Sequence, residues 1–111
     1  MTTSATNLVN MTANEIVGLL KKREVTPAEL LDALRERISE VDNKVNALPT
    51  LCWERAYKDA DKMSNLSLDE RGILAGLPVA IKDLNPVSGV RSTWGSPIYR
   101  DFVPTRSDCL V

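Results

Sequence analysis

Apolar residues in the first half of the chain recur at helical spacing behind two matched helix-start signals. Thr12 followed by Glu15, and Thr26 followed by Glu29, each form the capping-box pattern, in which a hydroxyl and a carboxylate satisfy free backbone amides at a helix start. The first box and the apolar spacing behind it predict a helix over Ala13–Arg23, and the second box predicts another helix that begins directly after it. Together the two helices should form a short hairpin.

The second helix has the clearest buried face, because its apolar positions recur three or four residues apart: Leu30, Leu34, Ile38, Val41 and Val45. A third helix is predicted from Trp53 to about Met63, and the polar stretch Ser64–Gly72 is predicted to be a loop. Residues 1–10 are polar and aperiodic, so we expect a flexible leader before a domain that covers residues 11–111.

The pattern changes after Gly72. Residues 73–81 are apolar at nearly every position, as expected of a strand that is buried on both faces of a sheet. Asn85–Ser107 is rich in proline and glycine and predicts a long irregular loop, and such loops often carry function. The apolar run Cys109–Val111 is expected to begin a buried element, so we expect the sequence to be the N-terminal, truncated part of a larger domain.

Composition narrows the classes of function. With 43% hydrophobic and 26% charged residues the chain has a globular composition, and its 14 basic and 15 acidic residues give a net charge of -1. That balance creates no field for nucleic acid or an anionic membrane, and neither a spanning segment nor a signal peptide is evident. We therefore expect a cytoplasmic protein with no membrane association and no direct nucleic-acid binding.

Two cysteines and no histidine limit the chemistry that this chain can perform. Two thiols do not make a disulfide framework, and the lack of histidine excludes both a histidine-based zinc site and an imidazole base for a serine or cysteine nucleophile. We expect no metal and no cofactor, and any general base must be another residue type.

Lys82 is the candidate catalytic residue, because it follows the apolar run and precedes the proline- and glycine-rich loop. Strand ends are where α/β folds place their chemistry, and burial there would favour the neutral amine, which can accept a proton. The alternative, which the sequence leaves open, is a lysine that only extends to solvent or pairs with Asp83 and has no catalytic role.

A block of residues around Lys82 resembles the amidase signature family in order and spacing: Gly76-Leu77-Pro78-Val79-Ala80-Ile81-Lys82-Asp83, Gly89, Ser92-Thr93-Trp94-Gly95-Ser96, Pro104 and Asp108. Weaker similarity extends upstream to Met11–Glu15, Thr26–Leu30 and Asn46-Ala47. The resemblance implies an α/β fold, of which this chain would hold the N-terminal helical hairpin and the first strand of a mixed sheet.

The resemblance also implies a Ser-Ser-Lys triad, with a cis peptide bond at the middle serine and Lys82 as the ultimate base. In such enzymes the lysine takes a proton from the bridging serine, which takes one from the nucleophile, and the resulting acyl-enzyme is hydrolysed by water. Both catalytic serines belong to a glycine- and serine-rich stretch that this chain lacks, since no such stretch surrounds Ser88, Ser92, Ser96 or Ser107. The chain alone should therefore be inactive.

The neighbours of Lys82 have supporting roles in this interpretation. We expect Asp83 to be a structural hydrogen-bond acceptor and Gly95 and Ser96 to shape the loop. Leu84, and Ser92-Thr93 where two threonines are frequent in the family, leave the subfamily open.

Three functions remain open from the sequence. The first is a hydrolase of a small-molecule amide, with a homo-oligomer of the full-length protein left open. The second is the related amidotransferase subunit that amidates mischarged tRNA together with a partner protein. The third is a non-catalytic helical interaction module, against which the predicted strand argues, because a lone apolar strand has no role without a sheet.

Overall fold

The computed structural model describes residues 5–111 of the chain, with side chains from Asn7 onward. Four α-helices and two 3-10 helices follow one another in this part of the chain: α1 Ala5–Leu8, α2 Ala13–Lys21, α3 Pro27–Val45, α4 Trp53–Asn65, and the 3-10 helices Asp69–Arg71 and Pro97–Tyr99. The chain divides into two compact units. The first holds the chain up to Leu48 together with Trp53–Pro78, and the second holds Pro49–Cys52 together with Val79–Val111.

Both predicted capping boxes are confirmed at the starts of α2 and α3. The Thr12 hydroxyl accepts from the Glu15 backbone amide at 3.3 Å, and the Glu15 carboxylate accepts from the Thr12 amide at 2.8 Å. The corresponding distances between Thr26 and Glu29 are 3.2 and 2.8 Å. Each box satisfies amides that a helix start would otherwise leave without partners, so these two helices begin where the sequence predicts.

The helix ends have local causes as well. The chain after α2 reaches a φ of 59° at Arg23, and α3 stops at Asn46, which has a φ of 52° and donates its amide to the Asp42 carbonyl at 2.6 Å. Asparagine tolerates this left-handed conformation, which ends a helix. The third predicted helix is confirmed as α4, which extends two residues beyond Met63.

The core of the first unit is small and apolar, and α3 contributes most to it by packing against α1 and α4. Leu20 of α2 is fully buried at its centre, and the other buried members of the cluster are Leu8, Val25, Leu30, Ala33 and Ala75. The predicted stripe on α3 is buried only at its N-terminal end, since Leu30 is 3% exposed and Val45 is 63% exposed.

The segment expected to be a flexible leader contains packed residues. Residues 1–4 lie outside the described part of the chain, but residues 5–8 form α1 and Leu8 belongs to the core cluster. The packed fold of the first unit therefore includes residues before Met11.

The predicted strand is wrong, and the α/β fold class with the first strand of a mixed sheet is wrong with it. Residues 5–111 contain no strand, only an isolated bridge between Val87 and Val90. The chain instead makes two consecutive turns, in which the amide of Ala75 donates to Gly72 at 3.3 Å and that of Leu77 donates to Leu74 at 2.8 Å.

Backbone conformation and missing partners explain this error. Ala75 and Gly76 have φ values of 55° and 101°, which are incompatible with a β ladder, and Ala75 is buried while Ile73 is 85% exposed. A strand also needs neighbouring strands to pair its backbone groups, and the described residues supply none. The described architecture is thus helical, followed by an irregular second unit.

The second unit is held together by hydrogen bonds between loop segments, which confirms the predicted irregular loop over residues 85–107. Its two halves are paired by amides of Gly89, Ser92 and Asp108, which donate to the carbonyls of Pro104, Phe102 and Pro86 at 3.0, 3.0 and 2.8 Å. Across the described residues no helix combines the length and apolar character that crossing a membrane requires.

Arg91 connects distant parts of the second unit. Its guanidinium donates to the Pro49 carbonyl at 2.8 Å, the Thr50 hydroxyl at 3.1 Å and the Arg100 carbonyl at 3.2 Å. The planar fork of arginine suits three acceptors that surround it, so one side chain holds segments about 40 residues apart in sequence together.

Candidate functional site

Lys82 lies in a tight turn of the second unit. Its carbonyl accepts a hydrogen bond from the Asn85 amide at 2.9 Å, which closes the turn. The lysine side chain is exposed, and among residues 5–111 its ammonium forms no salt bridge. The burial that the predicted strand end would have provided is therefore absent, and so is the pairing with Asp83 that the sequence left open.

Asp83 is instead bound to Thr93, ten residues along the chain. One carboxylate oxygen accepts from the Thr93 amide at 2.9 Å and the other accepts from the Thr93 hydroxyl. The backbone carbonyl of Asp83 accepts from the Ser92 hydroxyl at 3.2 Å. Asp83 is thus a hydrogen-bond acceptor with three bonds to two adjacent residues.

The electrostatics of Asp83 follow from these bonds. The hydrogen bond from the Thr93 hydroxyl holds the pKa of Asp83 below its usual value, the bond from the Thr93 amide adds to this, and the positive charge of Arg91 contributes less. The carboxylate is therefore ionised at neutral pH and is a poor proton acceptor.

Ser92 and Thr93 are themselves fixed by the loop. Ser92 is only 3% exposed, and its amide donates to the Phe102 carbonyl. The Thr93 hydroxyl, which donates to Asp83, accepts from the Gly95 amide at 3.3 Å, and the Thr93 carbonyl accepts from the Ser96 amide at 2.9 Å. The anchor of Asp83 is consequently a rigid turn and not a mobile side chain.

Gly95 and Ser96 have the loop-shaping contacts that the sequence led us to expect. Gly95 adopts a φ of 69°, and the Ser96 hydroxyl accepts from the Ile98 amide at 3.3 Å at the start of the 3-10 helix. Between them and the end of that helix, three aromatic rings pack together, with centroid distances of 4.7 Å for Trp94 and Tyr99 and 5.7 Å for Trp94 and Phe102.

A second connection links the Lys82 turn to the end of the chain. The Asn85 amide group lies 3.5 Å from one carboxylate oxygen of Asp108, whose other oxygen accepts from the Leu110 amide at 2.9 Å. The bond from Leu110 lowers the pKa of Asp108, and that from Asn85 lowers it further. Asp108 therefore also remains ionised near neutral pH.

None of the serines of the second unit forms a nucleophile and base pair with Lys82 in the described structure. The Ser88 hydroxyl donates to the Thr105 carbonyl at 3.1 Å, and that of Ser92 donates to Asp83. The hydroxyl oxygens of Ser96 and Ser107 accept from backbone amides. Within residues 5–111 no group of three or more metal-ligating side chains converges, and both cysteines are free thiols.

Sequence reasoning placed Lys82 and Asp83 together but missed what holds them. The role of Arg91 in the second unit and the pairing of Asp83 with Thr93 depend on contacts across ten or more residues. The only sequence signal for the second contact is the Ser92-Thr93 pair itself, because these residue types commonly bond to carboxylates and backbone groups near turns.

Comparison with known proteins gives a consistent result. A family model described as amidase matches residues 29–111. A glutamyl-tRNA(Gln) amidotransferase subunit from Shouchella clausii is 36% identical over 105 residues, which cover 95% of this chain and 22% of that protein. The corresponding subunits from Halothermothrix orenii and Caldanaerobacter subterraneus are 40% and 38% identical over 104 and 107 residues, covering 94% of this chain in each case and 20% and 22% of those proteins.

The chain therefore spans about a fifth of the length of the curated relatives that it matches. No solved structure matches it.

Proposed function

The chain belongs to the amidase signature family, and from that premise we propose that it supplies the lysine base of an enzyme that cleaves amide C–N bonds. The observation that carries the proposal is the surroundings of Lys82 within the family-like block. Its ammonium is exposed and unpaired among the described residues, while the adjacent Asp83 is held by Thr93. A lysine without a carboxylate partner can lose its proton more readily than one in an ion pair.

The proposed reaction is acyl transfer through a serine ester. The amine of Lys82 takes a proton from a bridging serine, and that serine takes the proton of the nucleophilic serine as its oxygen attacks the amide carbonyl. The C–N bond then breaks, the leaving nitrogen receives a proton, and water hydrolyses the ester. The two serines and the oxyanion hole would lie in the four fifths of the protein that this chain does not cover, so the chain alone should be inactive.

The proposed substrate is a small-molecule amide, and this chemistry requires only proton transfer and a nucleophile. A cytoplasmic location remains a prediction.

Removing the amine and then supplying it from solution tests the proposal in the full-length protein. Lys82→Ala should lower the turnover of a simple aliphatic amide by about two to four powers of ten, the usual contribution of a general base. Added methylamine should restore part of that turnover, because the truncated side chain leaves room for a small neutral amine. Lys44→Ala, which removes another exposed lysine, is the matched control and should leave turnover unchanged.

Near-parental turnover of the Lys82→Ala protein would contradict the proposal, whereas loss together with amine rescue would support a base and not merely a cation.

A second candidate is a subunit of an amidotransferase that acts on glutamyl-tRNA(Gln). The three relatives described above are named as subunits of such an enzyme and match over nearly all of this chain. The net charge of -1 gives this chain no general attraction for tRNA, so contacts with tRNA would be made by the rest of the protein or by a partner. Transfer of the amide group to glutamyl-tRNA(Gln) in the presence of partner subunits would favour this candidate, and release of free ammonia without tRNA would favour the hydrolase.

The third interpretation, a non-catalytic helical module, has gained one argument and lost another. The strand that argued against it is absent from residues 5–111, but membership in an enzyme family argues against it more strongly. A full-length protein with no amide turnover under any of the conditions above would favour the module.

A further inference from the structure

The geometry points to Asp83 as a positioning residue for Lys82, one that acts by bonding to Ser92 and Thr93. This inference rests on the proposed function, because it presupposes that Lys82 is the base. It goes further by naming the residues that hold the base in place.

The first step of the inference is the number of bonds on the residue that directly follows Lys82. Both carboxylate oxygens and the backbone carbonyl of Asp83 accept hydrogen bonds from Ser92 and Thr93. Ser92 is buried and bonded to Phe102, so the partner segment is itself fixed. Asp83 thus cannot move without breaking three bonds.

The second step concerns Lys82. Its own carbonyl is bonded to Asn85, and the Asn85 side chain reaches Asp108. The peptide that leaves Lys82 is therefore restrained at both residues 82 and 83, while the lysine side chain has no ion pair among the described residues. A fixed backbone with an unpaired amine is the arrangement that a positioned base requires.

The third step explains why Thr93 matters. A free carboxylate next to Lys82 would attract its ammonium and keep it protonated. Two charge-assisted bonds from Thr93 occupy that carboxylate, so it neither pairs with the lysine nor competes as a base. Thr93 thereby both anchors the Lys82 turn and keeps Asp83 apart from the amine.

The experiment uses the full-length protein and measures kcat and KM for a simple amide. Asp83→Asn keeps the size of the side chain but removes its charge, and Thr93→Val removes the hydroxyl. Each should lower kcat about 10- to 100-fold, because small displacements of a catalytic group have effects of this order, with KM nearly unchanged. The double variant should be no worse than the more affected single variant, since both remove one interaction.

Two further variants serve as controls. Thr93→Ser restores the hydroxyl and should recover most of the turnover. Asp101→Asn removes an exposed carboxylate of the same loop that takes no part in holding Lys82 or Asp83, and its turnover should equal that of the parent. Active-site titration keeps the comparison per folded molecule, and Thr93→Val carries the test if Asp83→Asn does not fold.

The decisive readout is the effect of Asp83→Asn in the Lys82→Ala protein rescued by methylamine. A free amine is not attached to the peptide that Asp83 holds, so the substitution should cost less than about threefold there. An equal loss with and without Lys82 would show a general structural role and overturn the inference. Parental kcat in Asp83→Asn, with Lys82→Ala still inactive, would overturn the inference and leave the proposed function intact, whereas an active Lys82→Ala protein would overturn both.

Discussion

Replacing Gly76 by alanine tests the turn that takes the place of the predicted strand. Gly76 has a φ of 101°, and a Cβ atom added there would lie 2.7 Å from Cγ and 3.5 Å from Cβ of Pro27, the first residue of α3. It would also lie 3.7 Å from Cβ of Met63 in α4. The substitution therefore combines an unfavourable backbone conformation with a steric clash.

The two terms can be estimated separately. A side chain held at such a φ costs about 1–3 kcal/mol, and overpacking of this kind typically costs about 1–3 kcal/mol more. The sum of about 2–6 kcal/mol is a large part of the roughly 5–15 kcal/mol that stabilises an ordinary small protein. Gly76→Ala should thus be among the most destabilising single substitutions in the first unit.

Two other glycines provide matched controls. Gly72 has a φ of 72° with nothing within 4 Å of an added Cβ, so Gly72→Ala should show the backbone term alone, about 1–3 kcal/mol. Gly18 lies in α2 with open space around it, so Gly18→Ala should stabilise by about 0.5–1 kcal/mol.

Urea denaturation followed by far-ultraviolet circular dichroism measures these changes, because the four described α-helices all lie in the first unit. Equal losses of stability for Gly76→Ala and Gly72→Ala would refute the close approach of the turn to Pro27.

Three further predictions concern stability and charge. Thr26→Ala removes the hydroxyl of the α3 capping box and should lower the free energy of unfolding by about 1 kcal/mol, whereas Thr26→Ser should retain most of it. Leu20→Ala empties a fully buried site and should cost about 2–5 kcal/mol, and a loss no larger than that of the exposed Val45→Ala would contradict the described core. Thr93→Val should raise the pKa of Asp83 toward its ordinary value of 3.8, as measured by carboxyl NMR titration. Since the lowered folded pKa stabilises the parent above the unfolded pKa and this stabilisation is lost as pH falls through the folded value, the variant should lose less stability in acid.

The helices could be predicted because their signals are local. A threonine and a glutamate three residues apart define each capping box, and both boxes are present at α2 and α3 with the predicted partners. The extent of burial was less accessible, since Val45 continues the apolar spacing of α3 but is exposed. Periodicity indicates which face a helix turns to a core, not how far along the helix the core extends.

The strand was mispredicted because an apolar run does not specify a backbone conformation. Residues 73–81 have the composition of a buried strand, yet Ala75 adopts a positive φ that its residue type does not announce. Strand formation depends on partners far away in sequence, and the described residues contain none.

The candidate site was predicted in part. Lys82 follows from its sequence context, but the bonds from Ser92 and Thr93 to Asp83 depend on the path of an irregular loop, which no periodic pattern encodes. Propensity rules identify such residues as formers of local hydrogen bonds without naming the partner.

The turnover of the full-length Lys82→Arg protein at saturating amide tests the central claim most directly. Arginine keeps the positive charge and most of the reach of lysine, but it does not release its proton at workable pH. If Lys82 is the base, kcat should fall by about two to four powers of ten, as in Lys82→Ala. Near-parental turnover of a correctly folded Lys82→Arg protein would contradict the assignment.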